Sequence, residues 1–146
     1  MKISDLLSPS DVMIDVRAST KPLLLRDLAA KAAAGLGLSV DHVARYLLKR
    51  EALGSTGIGK GVAISHARLP DLQRPFGVFA RLGQPIDFDA IDGQAVDIVF
   101  VLLLPSVAEH EALAALALVD RTLRPPETLA RLRAAKTAAD LHALVA

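Results

Sequence analysis

No cysteine occurs in the 146 residues. That excludes a disulfide framework, a thiolate metal centre and a cysteine nucleophile. Tryptophan is absent as well, and the aromatic complement is four Phe and one Tyr. Platforms for single-stranded nucleic acid interleave stacking rings with cations, and this chain has few rings to offer. Neither sign of charge prevails. The 17 Lys and Arg against 16 Asp and Glu leave a net charge of +1, with both signs interspersed. No electrostatic footprint for nucleic acid or for insertion into an anionic membrane is present, so any anion site must be local. The longest apolar run, Ile98 to Leu104, is far below the roughly 20 residues of a membrane-spanning helix. Met1 to Leu7 is amphipathic and lacks the basic segment and apolar core of a signal peptide, so a cytoplasmic location is expected.

What is present is aliphatic. Residues of hydrophobic type make up 52% of the chain, so the core must be built from Leu, Val, Ile and Ala. The length suits one domain over residues 1–146 with a single core. Val12, Ile14 and Val16 alternate as a half-buried strand does. Ser19 or Thr20 can cap a helix with Pro22 in its first turn, and Leu24, Leu28 and Ala32 form its apolar stripe up to Gly35 and Gly37. Ser39 can cap a second helix on which Val43, Tyr46 and Leu47 face inward, ending at Lys49-Arg50-Glu51.

A strand is expected over Val62 to Ile64, ending at His66, and another over Phe76 to Leu82. Ile86-Asp87-Phe88 and Asp92-Gly93 read as an extended segment and a tight turn. Val96 to Leu104 has the continuous apolar character of a strand covered on both faces. From Ser106 the pattern is helical until Pro125-Pro126, then again over Glu127 to Ala135, with a short capped helix after Thr137. Helices flank and separate the strands, which predicts an α/β sandwich around a central mixed sheet.

The chemistry concentrates between Gly54 and Ala67. Four glycines fall within eight residues, Gly54 to Gly61, and a β-branched run then leads to His66. Gly54, Gly59 and Lys60 match most of a nucleotide-binding P-loop. Gly61, however, stands where a hydroxyl should ligate Mg²⁺, and the loop joins a helix to a strand rather than a strand to a helix. An imidazole is neutral near pH 7 and its free nitrogen is a nucleophile that can take and release a phosphoryl group. By residue type alone, His66 serves equally well as a structural strand-end histidine. His110, in the first turn of the helix after the buried strand, reads as a solvated helix-start residue unless the topology brings it to His66. Arg50 offers a guanidinium fork for phosphate oxygens, or is a solvated helix end. Asp87, Asp89, Asp92 and Asp97 lie in turns and read as solvated. Two histidines without a third ligand make a weak case for zinc.

Arg50-Glu51, Gly54-Ser55-Thr56-Gly57-Ile58-Gly59 and Val62-Ala63-Ile64-Ser65-His66-Ala67 together resemble the fructose/mannitol-type IIA domain of the bacterial phosphotransferase system. The stretch Arg81 to Leu104, with Pro85-Ile86-Asp87-Phe88 and Asp92-Gly93, is similar to the same family. The Leu6-Leu7 opening points to its nitrogen-regulatory branch. The resemblance implies a phosphohistidine intermediate on His66, with phosphate taken from an HPr-like phosphocarrier. It places the family's arginine on Arg50 and its second histidine on His110, both supporting the phosphoryl group. No cofactor or metal is implied, because the donor is itself a phosphohistidine. Potassium transporters and sensor kinases are the regulatory targets it suggests; a sugar-uptake subunit feeding a IIB domain is the alternative, and a homodimer stays open. Ser65 departs from the pattern, which usually has proline there.

Overall fold

The computed structural model describes residues 1–146. Two short 3₁₀ turns, Ile3–Asp5 and Pro9–Asp11, precede β1 (Val12–Val16). The helices α1 (Lys21–Leu36) and α2 (Val40–Ala52) follow, then β2 (Gly57–Gly59), β3 (Val62–Leu69), β4 (Phe76–Ile86) and β5 (Val96–Pro105). The chain closes with α3 (Glu109–Leu123), α4 (Pro126–Ala134) and α5 (Ala138–Val145).

Local chemistry accounts for the helix ends. The Thr20 hydroxyl accepts from the Leu23 N–H at 3.4 Å, Ser39 from His42 at 3.1 Å and Thr137 from Asp140 at 3.1 Å. Each satisfies a donor that the first helical turn leaves orphaned. Gly37, at φ +70°, is the left-handed residue that stops α1, whereas Gly35 lies inside the helix.

The strands form one sheet in the order β1-β4-β5-β3-β2. β1 runs parallel to β4 and β3 parallel to β5, while β4–β5 and β2–β3 are antiparallel. The sheet is mixed and carries helices on both faces, the α/β sandwich expected from the pattern. Alternation along the strands divides the core in two. Ala63, Ala67, Val99, Val101 and Leu103 pack with the buried stripes of α1 and α2. Val62, Ile64, Ile98, Phe100 and Leu102 pack with α3, α4 and α5. β5 has helices over both faces, and every residue from Ile98 to Pro105 is buried.

Two strands are longer than their local patterns suggest. β3 does not end at His66 but continues to Leu69, because β5 pairs with it residue for residue from Val62↔Ile98 to Leu69↔Pro105. β4 likewise runs past Leu82 to Ile86, with a register break between Arg81 and Ile86.

Candidate functional site

The glycine segment folds back on itself. Gly57–Gly59 is the outermost strand of the sheet, paired with β3 through Gly57↔Ala63 and Gly59↔Val62. Lys60 and Gly61, at φ +57° and +80°, are the two left-handed residues that turn this hairpin. Arg133 on α4 donates Nη2 to the Lys60 carbonyl at 2.6 Å and pairs with Asp97 at 3.0 Å, which anchors the turn from below. Gly57 is required by a close approach: a Cβ there would lie 2.7 Å from the Ala90 methyl. These glycines serve a hairpin and its packing. The nucleotide-loop resemblance therefore has no structural counterpart.

β2 pairs only with the first residues of β3, and the last bond of this edge joins the Ile64 N–H to the Thr56 carbonyl at 3.1 Å. From Ser65 onward the outer edge of β3 is free of β2, and His66 stands on that free stretch. Ser65 itself is fully buried opposite Val101. The His66 ring is half-buried, with Nδ1 3.0 Å from the Ile64 carbonyl oxygen. A carbonyl only accepts, so the neutral imidazole carries its proton on Nδ1 and leaves the Nε2 lone pair free. Burial pushes the His66 pKa below the ordinary 6.5 against the opposing pull of the Ile64 carbonyl. Arg50 and Arg68 push it in the same direction as burial, and Glu51 in the other. The net effect favours the neutral imidazole.

His66 borders two hollows. One is lined by Arg50, Ser55, Thr56, Ile58 and Ile64 on one side and Leu116, Ala117 and Asp120 of α3 on the other. The second is lined by Tyr46, Lys49, Arg50, Leu53, Ala67 and Arg68. Arg50 borders both, and its Nη1 donates to the Gly54 carbonyl at 2.9 Å. The structure therefore brings Arg50 and His66 together. His110 is exposed in the first turn of α3, one residue after Glu109, which accepts from Arg68 on the strand that carries His66. It lines neither hollow and makes no hydrogen bond with the His66 ring.

Glu51 is the residue that the sequence reading passed over. It closes the charged run at the end of α2 and is nevertheless buried. Its carboxylate accepts from the Thr56 N–H at 2.9 Å, the Thr56 hydroxyl at 2.5 Å and Lys21 Nζ at 3.1 Å. Lys21 also reaches the Phe88 carbonyl and Asp89, both at 3.2 Å, and Ser55 Oγ donates to the same Phe88 carbonyl at 2.6 Å. The loop that carries Ser55 and Thr56 is thereby fastened to α1, α2 and the segment after β4. One signal was available: an acid in the last turn of a helix opposes the dipole, which points to a tertiary partner. The acidic turn residues have such structural partners too. Asp87 and Asp92 accept backbone N–H groups of Asp89, Lys60 and Gln94, and no group of three or more His, Asp or Glu is placed to hold a metal ion.

The fold is shared with known proteins. A model of the family described as "Phosphoenolpyruvate-dependent sugar phosphotransferase system, EIIA 2" matches residues 5–146. The chain belongs to that family. Among relatives of this IIA chain, the nitrogen regulatory protein of Bradyrhizobium diazoefficiens is 44% identical over 146 residues, covering 100% of this chain and 95% of the relative. The crystal structure of nitrogen regulatory protein IIA-Ntr from Neisseria meningitidis superposes with a TM-score of 0.93 at 31% identity, covering 99% of each chain. The Escherichia coli IIA of the mannitol system, in its complex with phosphorylated IIB, shares the fold: TM-score 0.79 and 15% identity, covering 96% of this chain and 98% of that one. The family's members are phosphotransfer components, and no helix of this IIA chain is long and apolar enough to cross a membrane.

Proposed function

We propose that residues 1–146 form one phosphoryl-accepting IIA domain in which His66 is the acceptor and the phosphorylation state regulates other proteins. The observation that carries this reading is the His66 ring: neutral, half-buried, held through Nδ1 by the Ile64 carbonyl, and sharing its hollows with Arg50. The lone pair of Nε2 attacks the phosphorus of a donor phosphohistidine on an HPr-like carrier. The new N–P bond forms as the donor's N–P bond breaks, and that electron pair returns to the donor imidazole. His66 keeps its Nδ1 proton, and the Ile64 carbonyl stabilises the positive charge that appears on the ring. Arg50 sits where a guanidinium meets the phosphoryl oxygens. Transfer between two imidazoles needs alignment and charge stabilisation, and no metal or cofactor enters it. His110, one residue after Glu109 at the start of α3, takes the supporting role that the family resemblance implies.

The regulatory role rests on the nitrogen regulatory relatives, which match along the whole chain. Nitrogen- and potassium-linked partners, transporters or sensor kinases, would respond to the roughly two negative charges that a phosphoryl group adds. Transfer onward to a IIB domain is the second reading, favoured by the fold shared with a IIA that binds phosphorylated IIB. Incubation with the phosphoenolpyruvate-driven phosphocarrier chain tests the acceptor: wild type gains acid-labile phosphate and His66→Ala gains none. Equal labelling of the two proteins refutes it. Discharge of the labelled protein by a fructose- or mannitol-type IIB would favour the second reading.

A further inference from the structure

Arg68 stands two residues beyond His66 on β3. Residues i and i+2 of a strand point to the same face, about 6–7 Å apart. An arginine side chain spans that distance. Arg68 and His66 line one hollow together, and Arg68 is one of the cations that act on the His66 ring. Yet the guanidinium is engaged elsewhere. Its Nη1 and Nη2 donate to both oxygens of Glu109, the Nη2–Oε1 bond measuring 2.9 Å. Glu109 opens α3, where its charge also meets the positive end of the helix dipole. The fork-to-fork pair holds the Glu109 carboxyl below the ordinary carboxylate range, first through the hydrogen bonds and then through charge.

We infer that Arg68 is a second phosphoryl-binding cation, held in reserve by Glu109, and that phosphorylation of His66 moves it from the carboxylate to the phosphoryl group. This rests on the assignment of His66 as acceptor. A dianionic group with three acceptor oxygens outcompetes a singly charged carboxylate for a guanidinium, and both partners are exposed enough to rearrange without opening the core. Arg50 and Arg68 then hold the phosphoryl group between α2 and β3, and the start of α3 is left with a free Glu109. That released acid, beside the modified histidine, is the part of the surface that differs most between the two states. A partner that reads phosphorylation meets it there.

The test uses the full-length protein phosphorylated through the phosphoenolpyruvate-driven carrier chain. The ¹³C resonance of the Glu109 side-chain carboxyl is followed in wild type, and the lifetime and equilibrium level of phosphohistidine in Arg68→Ala, Glu109→Gln and the double variant. Thermal melts confirm that each variant is folded. Phosphorylation shifts the Glu109 resonance toward that of a free carboxylate. Arg68→Ala lowers the phosphorylated fraction at equilibrium on the order of tenfold, the size of a lost hydrogen bond between charged groups. Glu109→Gln raises it several-fold, and the double variant matches Arg68→Ala, because Glu109 acts only through Arg68. An unmoved Glu109 resonance in labelled wild type, or a normal phosphorylated fraction in Arg68→Ala, overturns the inference alone. Absence of label from wild type overturns it together with the acceptor assignment.

Discussion

Replacing Glu51 by alanine tests whether the site is held by the buried clamp under the loop. Truncation removes the acceptor for both the N–H and the hydroxyl of Thr56, a residue only 5% exposed. Each orphaned buried group costs about 1–3 kcal/mol. Lys21 loses one partner but keeps the Phe88 carbonyl and Asp89, so its contribution is the smaller part. The total is about 3–5 kcal/mol, the range found when one member of a buried ion pair is removed. For a chain of this size each kcal/mol lowers the melting temperature by roughly 2–4 °C, so a drop of about 10–15 °C is expected. Glu51→Gln keeps an acceptor for the Thr56 N–H and should lose about half as much. The assay is a circular-dichroism melt at pH 7 in moderate salt, paired with phosphoryl labelling at a temperature where both variants are folded. Labelling should fall in Glu51→Ala because Ser55 and Thr56 line the hollow beside His66. A melt within about 2 °C of wild type would show that the carboxylate contributes little and that other contacts hold the loop.

The His66 resonances should titrate below the ordinary 6.5, and Arg50→Ala should bring them part of the way back, since burial, the main cause, remains. The sign follows: an unfolded chain takes up the proton first as pH falls, so this group's share of stability is full above pH 6.5 and is lost through the folded pKa. Phosphoryl acceptance should persist over the same range, and a His66 titration at or above 6.5 contradicts the burial argument. Gly61→Ala should destabilise by at least about 1–2 kcal/mol through its left-handed backbone, with a further loss as the new Cβ, 2.5 Å from Arg133 Nη2, displaces the turn's anchor. A urea midpoint unchanged from wild type would refute that account of the hairpin. His110→Ala should still accept phosphate but hold or transfer it less well, with melting unchanged because the side chain is exposed; complete loss of labelling with the fold intact would make His110 the acceptor.

Much of the fold was legible because its causes are local. Thr20, Ser39 and Thr137 cap helices through bonds spanning three residues, and the stripe from Leu24 to Ala33 is a periodicity within one helix. The apolar run from Val96 to Leu104 declared the central strand, since only a strand buried on both faces tolerates such a sequence. Strand ends were less legible. β3 outlasts its own β-branched run because β5 pairs with it up to Pro105, a contact between distant segments. The glycine segment matched most of a nucleotide-binding loop because glycines serve such loops and hairpins alike; the pairing of Gly57 with Ala63 and the fit against Ala90 show the hairpin.

At the site, the sequence by itself determined which imidazole and which guanidinium are the candidates. A lone imidazole after the glycine segment and an arginine ending the preceding helix are chemical facts before folding. Tertiary structure alone decided their surroundings. It placed His66 where β2 leaves the sheet edge, aimed Nδ1 at the Ile64 carbonyl, and buried Glu51 under Thr56 although its neighbours Lys49 and Arg50 suggested solvent. It also set Arg68 against Glu109, 41 residues away in the chain. Residue type sets what a side chain can donate or accept. Which partner it meets depends on contacts between segments far apart in sequence, and no local pattern encodes those.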